Sequence, residues 1–462
     1  MPSSTAAYPI PRGPRSRGHV PGDVRPLRAG RLPAMPATPD RPARSTGRAL
    51  WRHRDFLKLW MGETVSEFGS QVTLVAMPLA AAVVLRATPA EMGILSALEM
   101  LPFLLISLPA GVWADRLQRR PILIAADILR AVVLLAVPVA GLTGHLSMPL
   151  LYVVALVAGV GTVFFDVSYQ SYLPALVERE HLIEGNSKME LTRSTAQLAG
   201  PGLGGVLVGL LGAAEAIVAD SLSFFYSAAM LLLIRRPEPQ PVPREERRHM
   251  VHEMREGLGV VLGNPVLRAI AATTATSNLF GSMAFAVLFL FTTRDLRMDA
   301  VHIGIALALG NLGAMVGALV AGRAAGAFGV GRTLIAAIFA GAAAELLVPI
   351  AQPATAMPLL VAAMLFGSAG STTYNINQVS LRQSITPDRL QGRMNASMRF
   401  IVWGTMPIGS LAGGALGTVI GVRGAIAVGA VGGLFTVLWL VVSPVRSLRE
   451  PPPAWEAAPA EG

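Results

Sequence analysis

The sequence predicts an all-α polytopic membrane protein, with twelve transmembrane helices in two six-helix bundles. Of its 462 residues, 53% are hydrophobic and 14% are charged, and the mean hydropathy is +0.54. A soluble globular chain carries about 25% charged residues. Apolar segments recur at the roughly 20 residues that a helix needs to cross a bilayer, and none alternates as a barrel strand does. Basic residues gather in every second loop, which fixes a topology.

Taken in order, residues 1–50 are rich in Pro and Arg and lack an apolar period. They read as a disordered basic tail without the apolar stretch of a signal peptide, or as sequence preceding a later start such as Met35. The apolar segments fall near 57–85, 91–114, 121–142, 149–173, 187–211 and 214–234, then 267–292, 302–324, 332–351, 357–381, 394–419 and 424–443. Between the two sets lies a charged loop, 235–266, with a helix-compatible stretch from Glu245 to Glu256. The expected organisation is a tail 1–50, a bundle 51–234, a linker 235–266, a bundle 267–445 and a disordered tail 446–462.

One set of loops carries Arg52, Arg54 and Lys58, then Arg116, Arg119 and Arg120, Arg235 and Arg236, Arg323 and Arg332, Arg389 and Arg393, and Arg446 and Arg449. The alternate set has Arg86, Arg294, Arg297 and Arg423. The first set is expected in the cytoplasm, with both termini inside a cell membrane. This asymmetry also accounts for the net charge of +10 without nucleic-acid binding.

The two halves repeat. Met148-Pro149-Leu150-Leu151 recurs as Met357-Pro358-Leu359-Leu360, and at the same offset of 209 Asn186 falls on Asn395, Gly200 on Gly409, and Gly204-Gly205 on Gly413-Gly414. A parallel repeat of six helices is a transporter architecture.

The turn from Gly111 to Pro121 joins two apolar segments with Asp115, Arg116, Arg119 and Arg120. These charges place it at a membrane surface. Gly111, Asp115, Arg116, Arg119 and Arg120 match a G-x-x-x-D-R-x-x-R-[KR] pattern, and here the chain resembles the major facilitator superfamily. The stretch 164–174, F-F-D-V-S-Y-Q-S-Y-L-P, resembles its macrolide and siderophore exporter branch. The resemblance implies the major facilitator fold and a conformational latch at the basic turn. The second copy of the turn has Gly326 in place of the acid, so the latch is expected at the first. Gly200, Pro201, Gly204 and Gly205 resemble the G-P-x-x-G-G motif of family antiporters, a helix-bend motif in which Pro201 is expected to bend the helix and the glycines to admit a close neighbour; close packing without coupling is the other reading. The arginine that some family antiporters carry on the fourth helix is absent from 149–174.

Acids inside apolar helices are the remaining signal, because an intramembrane carboxylate is expensive and usually functional. Glu63 and Glu67 share a helix face with Gln71. Glu67 lies roughly 15 Å deep at 1.5 Å per residue. It is a proton-coupling candidate facing a cavity, or the partner of Arg130 in a salt bridge. Glu63 is shallower and expected to be solvated. Glu99 and Asp166 are further coupling candidates. Asp127 and Arg130, spaced i, i+3, read as a structural pair, Asp220 as a packing centre, and Glu345 as a lone acid without an assignment. Asn278 and the stripe Ser371, Tyr374, Asn375, Gln378 and Arg382 extend a candidate substrate wall, interhelical hydrogen bonding being the alternative.

No phosphate-binding loop or zinc motif occurs and there is no cysteine, so no cofactor, metal site or catalytic residue is expected. The function that fits is secondary transport, as export of an amphipathic organic compound by proton antiport, with uptake or uncoupled transport on the same fold as the alternative. A non-transporting receptor or assembly protein fits the buried acids less well. The expected partners are the lipid bilayer, a small organic substrate and protons, with the chain acting as a monomer.

Overall fold

The computed structural model describes residues 50–238, 250–450 and 452. The predicted tail falls outside them but for Leu50. The first half contains α1 (Arg54–Val84), α2 (Pro89–Arg116), α3 (Arg119–Leu142), α4 (Met148–Leu176), α5 (Leu182–Leu211) and α6 (Ile217–Leu232). A short helix, α7 (Met250–Gly263), precedes the second half. That half contains α8 (Pro265–Asp295), α9 (Ala300–Phe328), α10 (Val330–Ile350), α11 (Pro353–Ile385), α12 (Asp388–Ile420) and α13 (Val422–Val441). No strand occurs among the described residues. Eleven of the helices are long and apolar enough to span a bilayer, while α6, at 16 residues, is shorter.

Local chemistry sets the helix ends. Thr88 and Glu91 form a capping box at the start of α2, with the Glu91 carboxylate accepting from the Thr88 N–H at 2.7 Å. The Asn264 side chain accepts from Val266 N at 2.9 Å to start α8. Asp299 accepts from His302 N at 2.9 Å ahead of α9, and that backbone hydrogen bond holds its carboxyl below the usual carboxylate range.

α5 begins at Leu182 and α12 at Asp388, several residues before the expected starts. Their first turns are charged, so hydropathy does not reveal them; Glu184 and Lys188 pair at 3.4 Å there. The tail 446–462 is not wholly without structure. The Leu448 and Arg449 carbonyls accept from Gly331 and Val330 N at 2.9 and 3.1 Å, supplying partners for the first turn of α10. In the linker, helix begins at Met250, and residues 239–249 fall outside the described set. The Arg393 guanidinium on α12 donates to Glu256 at 2.5 Å.

The repeat seen in the sequence extends to backbone detail. α1 and α8 each finish in a π turn, Ala80–Val84 and Phe291–Asp295. Arg86 and Arg297 follow with positive φ of 53° and 55°.

The halves meet along two seams, α2 against α12 and α5 against α9. Both are closest at the end away from the basic loops, hereafter the far end. There a Cβ on Gly414 would stand 2.7 Å from Pro89 O and 2.9 Å from Gly93 Cα. One on Gly205 would press on Ala300 O and stand 3.0 Å from Gly304 Cα. Arg294 of α8 donates across to Ala87 O at 2.8 Å. Ser96 meets Ser410 at 3.2 Å, and Asn311 donates to Gln197 O at 2.5 Å. Among the described residues no hydrogen bond joins the halves at the basic-loop end. The molecule is closed at the far end.

Candidate functional site

A cavity of about 660 Å³ lies in the basic-loop half, walled by α1 to α6 and α12. Its charged lining comprises four carboxylates, Glu63, Glu67, Asp166 and Glu190, and three guanidinium groups, Arg130, Arg193 and Arg399. α5 contributes Asn186, Glu190, Arg193 and Gln197, one polar stripe at helical spacing. α1 contributes Glu63, Glu67 and Gln71 in the same way. Phe103 of α2 and Trp403 of α12 meet edge to face at 5.2 Å and complete the wall.

Behind the wall, Asp127 is fully buried and accepts from Arg130, whose guanidinium lies between Phe165 at 4.4 Å and Phe224 at 3.9 Å from their ring centres. Glu63 Oε2, Arg130 Nε and Tyr169 Oη, of residues that line the cavity, are enclosed without a hydrogen-bond partner among the described residues. The enclosed oxygen of Glu63 differs from the expected solvated one. The helix packing covers it, with Arg130 and Tyr169 lining the same cavity.

The expected site residues separate into groups. Glu63, Glu67, Gln71 and Asp166 converge on this cavity. Glu99, half-buried on α2, lines none of the cavities described. The α11 stripe is not one continuous wall. Tyr374 and Gln378 turn into the second bundle, 4% and 3% exposed, and Asn375 is exposed. The Tyr374 hydroxyl lies 2.9 Å from Thr274 Oγ1, and Gln378 donates to Asn375 at 2.8 Å. Asn278 donates to Val402 O at 3.2 Å. These four residues make hydrogen bonds within the second half and line none of the cavities described.

Glu190, Arg193 and Arg399 were not among the expected site residues. The α5 stripe was visible as i, i+4, i+7 spacing, but its charges lie close to a basic loop and so resemble topology signals.

At the basic turn, the side chains of Asp115 and Arg116 lie outside the described residues, as does the surrounding of Gly111. The two later arginines are engaged within the first half. Glu238 accepts from the backbone N of Arg119 and Arg120 at 2.9 and 3.1 Å, and from the Arg119 guanidinium at 3.3 Å. A carboxylate there caps the exposed N–H groups of α3. Arg120 donates to the Leu231 and Leu232 carbonyls at the end of α6, both at 2.9 Å.

In the glycine motif of α5, Pro201 is buried inside a continuous helix. Gly200 packs on Gln71, Gly204 would place a Cβ 3.1 Å from Val72 Cα, and Gly205 faces α9. α12 repeats the arrangement with Gly409 and Gly413 on α8 and Gly414 on α2. The motif therefore packs α5 against its own bundle and against the other half at once.

Among known proteins, the chain is 26% identical over 356 residues to the enterobactin exporter EntS of Citrobacter koseri, covering 76% of this chain and 82% of the relative. It is 26% identical over 368 residues to the multidrug efflux pump Tap of Mycolicibacterium fortuitum, covering 77% and 87%. The fold matches a bacterial homologue of the iron transporter ferroportin in its inward-facing state, with TM-score 0.70, 16% identity, and 84% and 98% of the two chains covered. The outward-facing state of a bacterial ferroportin homologue matches with TM-score 0.55 at 17% identity and the same coverage. The family described as transmembrane secretion effectors matches residues 45–457. With nearly the whole described chain matched, this protein belongs to the transmembrane secretion effector family, within the major facilitator superfamily of transporters.

Proposed function

We propose that the protein exports an amphipathic organic compound from the cytoplasm by alternating access, driven by proton antiport. The observation that carries this reading is the basic-loop cavity, in which four carboxylates and three arginines line one space beneath a closed far end. Such a cavity can bind a compound with both polar and apolar parts, and carboxylates in it can take up protons. The exporter relatives support the direction.

Glu67 is the proposed coupling group, since it lines the cavity opposite no matching acid in α8. Glu67→Gln keeps the shape and removes the titration. In proteoliposomes it is expected to abolish uphill export driven by a pH gradient while preserving downhill exchange. Uphill pumping at the wild-type rate would remove Glu67 from this role and leave Asp166 as the next candidate. If the wild type ignores a pH gradient, the uncoupled carrier takes the place of antiport.

The basic loops are assigned to the cytoplasm, and reporter fusions at Arg236 and after Arg449 are both expected to report an internal position. An external signal from either overturns the orientation. Asp115 is the proposed latch that closes the basic-loop end in the opposite state. Losing one charge-assisted hydrogen bond in Asp115→Asn costs about 1.5–3 kcal/mol, so a cysteine at Asn186 should be labelled faster from the cytoplasmic side. Unchanged labelling together with wild-type transport would rule the latch out.

A further inference from the structure

The second bundle holds an open cavity of its own, about 420 Å³, lined by α8, α9, α10, α11 and α13. It shares no lining residue with the basic-loop cavity. Phe285, Leu288, Leu307 and Met364 give it apolar walls, and Asn311, Ser368, Ser371 and Thr372 add neutral polar groups. One ionisable group faces it, the half-buried Glu345 of α10, and no Lys, Arg or His lines it. Glu345 has no hydrogen-bond or ion-pair partner among the described residues.

An ionised carboxylate on a mostly apolar wall without a protein cation is costly, so the group either holds a proton or pairs with a cationic ligand. The chemistry of the walls restricts that ligand. A bare inorganic cation takes several oxygen ligands in place of its water and favours charged ones; here Glu345 is the single carboxylate, and the other lining oxygens belong to the neutral Asn311, Ser368, Ser371 and Thr372 on a mostly apolar wall. An organic cation with its charge spread over apolar groups gains from both features, by contact with the walls and by attraction to Glu345. Phe285 adds an aromatic surface suited to a cation. The volume falls in the range of small-molecule sites, about 300–1,000 Å³. We propose that this cavity binds a lipophilic organic monocation, with Glu345 as its counter-ion. The site goes beyond the transport reading and is independent of direction and coupling.

Two glycines make the proposal testable without disturbing the fold. Gly281 and Gly367 line the cavity, and a Cβ built on either meets nothing within 4 Å. A leucine at either position therefore fills the cavity rather than colliding with a helix. The measurement is equilibrium binding of radiolabelled tetraphenylphosphonium to the purified full chain in detergent. The wild type should bind it saturably, and neutral triphenylphosphine oxide should compete poorly. Glu345→Gln should weaken binding by about tenfold or more, and Gly281→Leu and Gly367→Leu should each abolish it. Gly326→Val, at a position that lines neither cavity, should bind as the wild type does. The proposal is overturned if the wild type does not bind the cation. It is equally overturned if Glu345→Gln and both leucine variants bind normally, or if binding is lost in Gly326→Val and retained in Glu345→Gln.

Discussion

Gly205→Val is expected to open the far end of the transporter. A Cβ at that position presses on the Ala300 carbonyl and stands 3.0 Å from Gly304 Cα. Both are backbone atoms of α9, so no side chain can swing aside and the helices must separate. Forcing extra carbon into a packed contact costs about 1–3 kcal/mol. If the two states of the carrier lie within a few kcal/mol, that cost shifts their ratio by about tenfold or more. The chain has no cysteine, so a single one can report the change. Placed at Ser96, which faces Ser410 across the α2–α12 seam at 3.2 Å, it is shielded in the closed state. Labelling by a membrane-impermeant maleimide added at the far end should rise in Gly205→Val, and also in Gly93→Val, whose Cβ would lie 2.8 Å from Gly414 Cα. Gly326→Val is the control, because its Cβ meets nothing within 4 Å. Equal labelling in all of these proteins would show that the glycine seams do not hold the far end shut.

Arg130→Met should be among the most destabilising single changes in the first bundle. It leaves Asp127, fully buried, without its cation. Removing one member of a buried ion pair costs about 3–5 kcal/mol, because the other charge stays behind. The change also removes the guanidinium held between Phe165 and Phe224. Thermal unfolding in detergent should fall markedly for Arg130→Met. It should recover in large part for Asp127→Asn combined with Arg130→Met, where no charge is stranded. A single variant that melts with the wild type would mean that the pair contributes little, and that Arg130 serves the cavity alone. The distinction matters because Arg130 has both positions at once. It touches Asp127 behind the wall and lines the cavity in front of it.

The sequence by itself determined the all-helical membrane class, the order of the apolar helices and the glycine repeat. The reason is that a bilayer demands about 20 apolar residues per crossing and closes every backbone hydrogen bond within the helix. Those demands are written along the chain, and Gly204-Gly205 and Gly413-Gly414 stand where close approach requires them. Which way each helix faces was decided only by the tertiary structure. In a soluble bundle the apolar face points inward, but lipid is as apolar as a protein core, so the pattern on α2 or α11 does not separate the two. That is why Glu99 lies off the cavity, and why Tyr374 and Gln378 turn into their own bundle while Asn375 does not. It is also why Arg193 and Arg399, which the sequence did not single out, line one space with Glu67 and Asp166. Glu345 was an acid without an address in the sequence, and the packing of five helices around it supplied one.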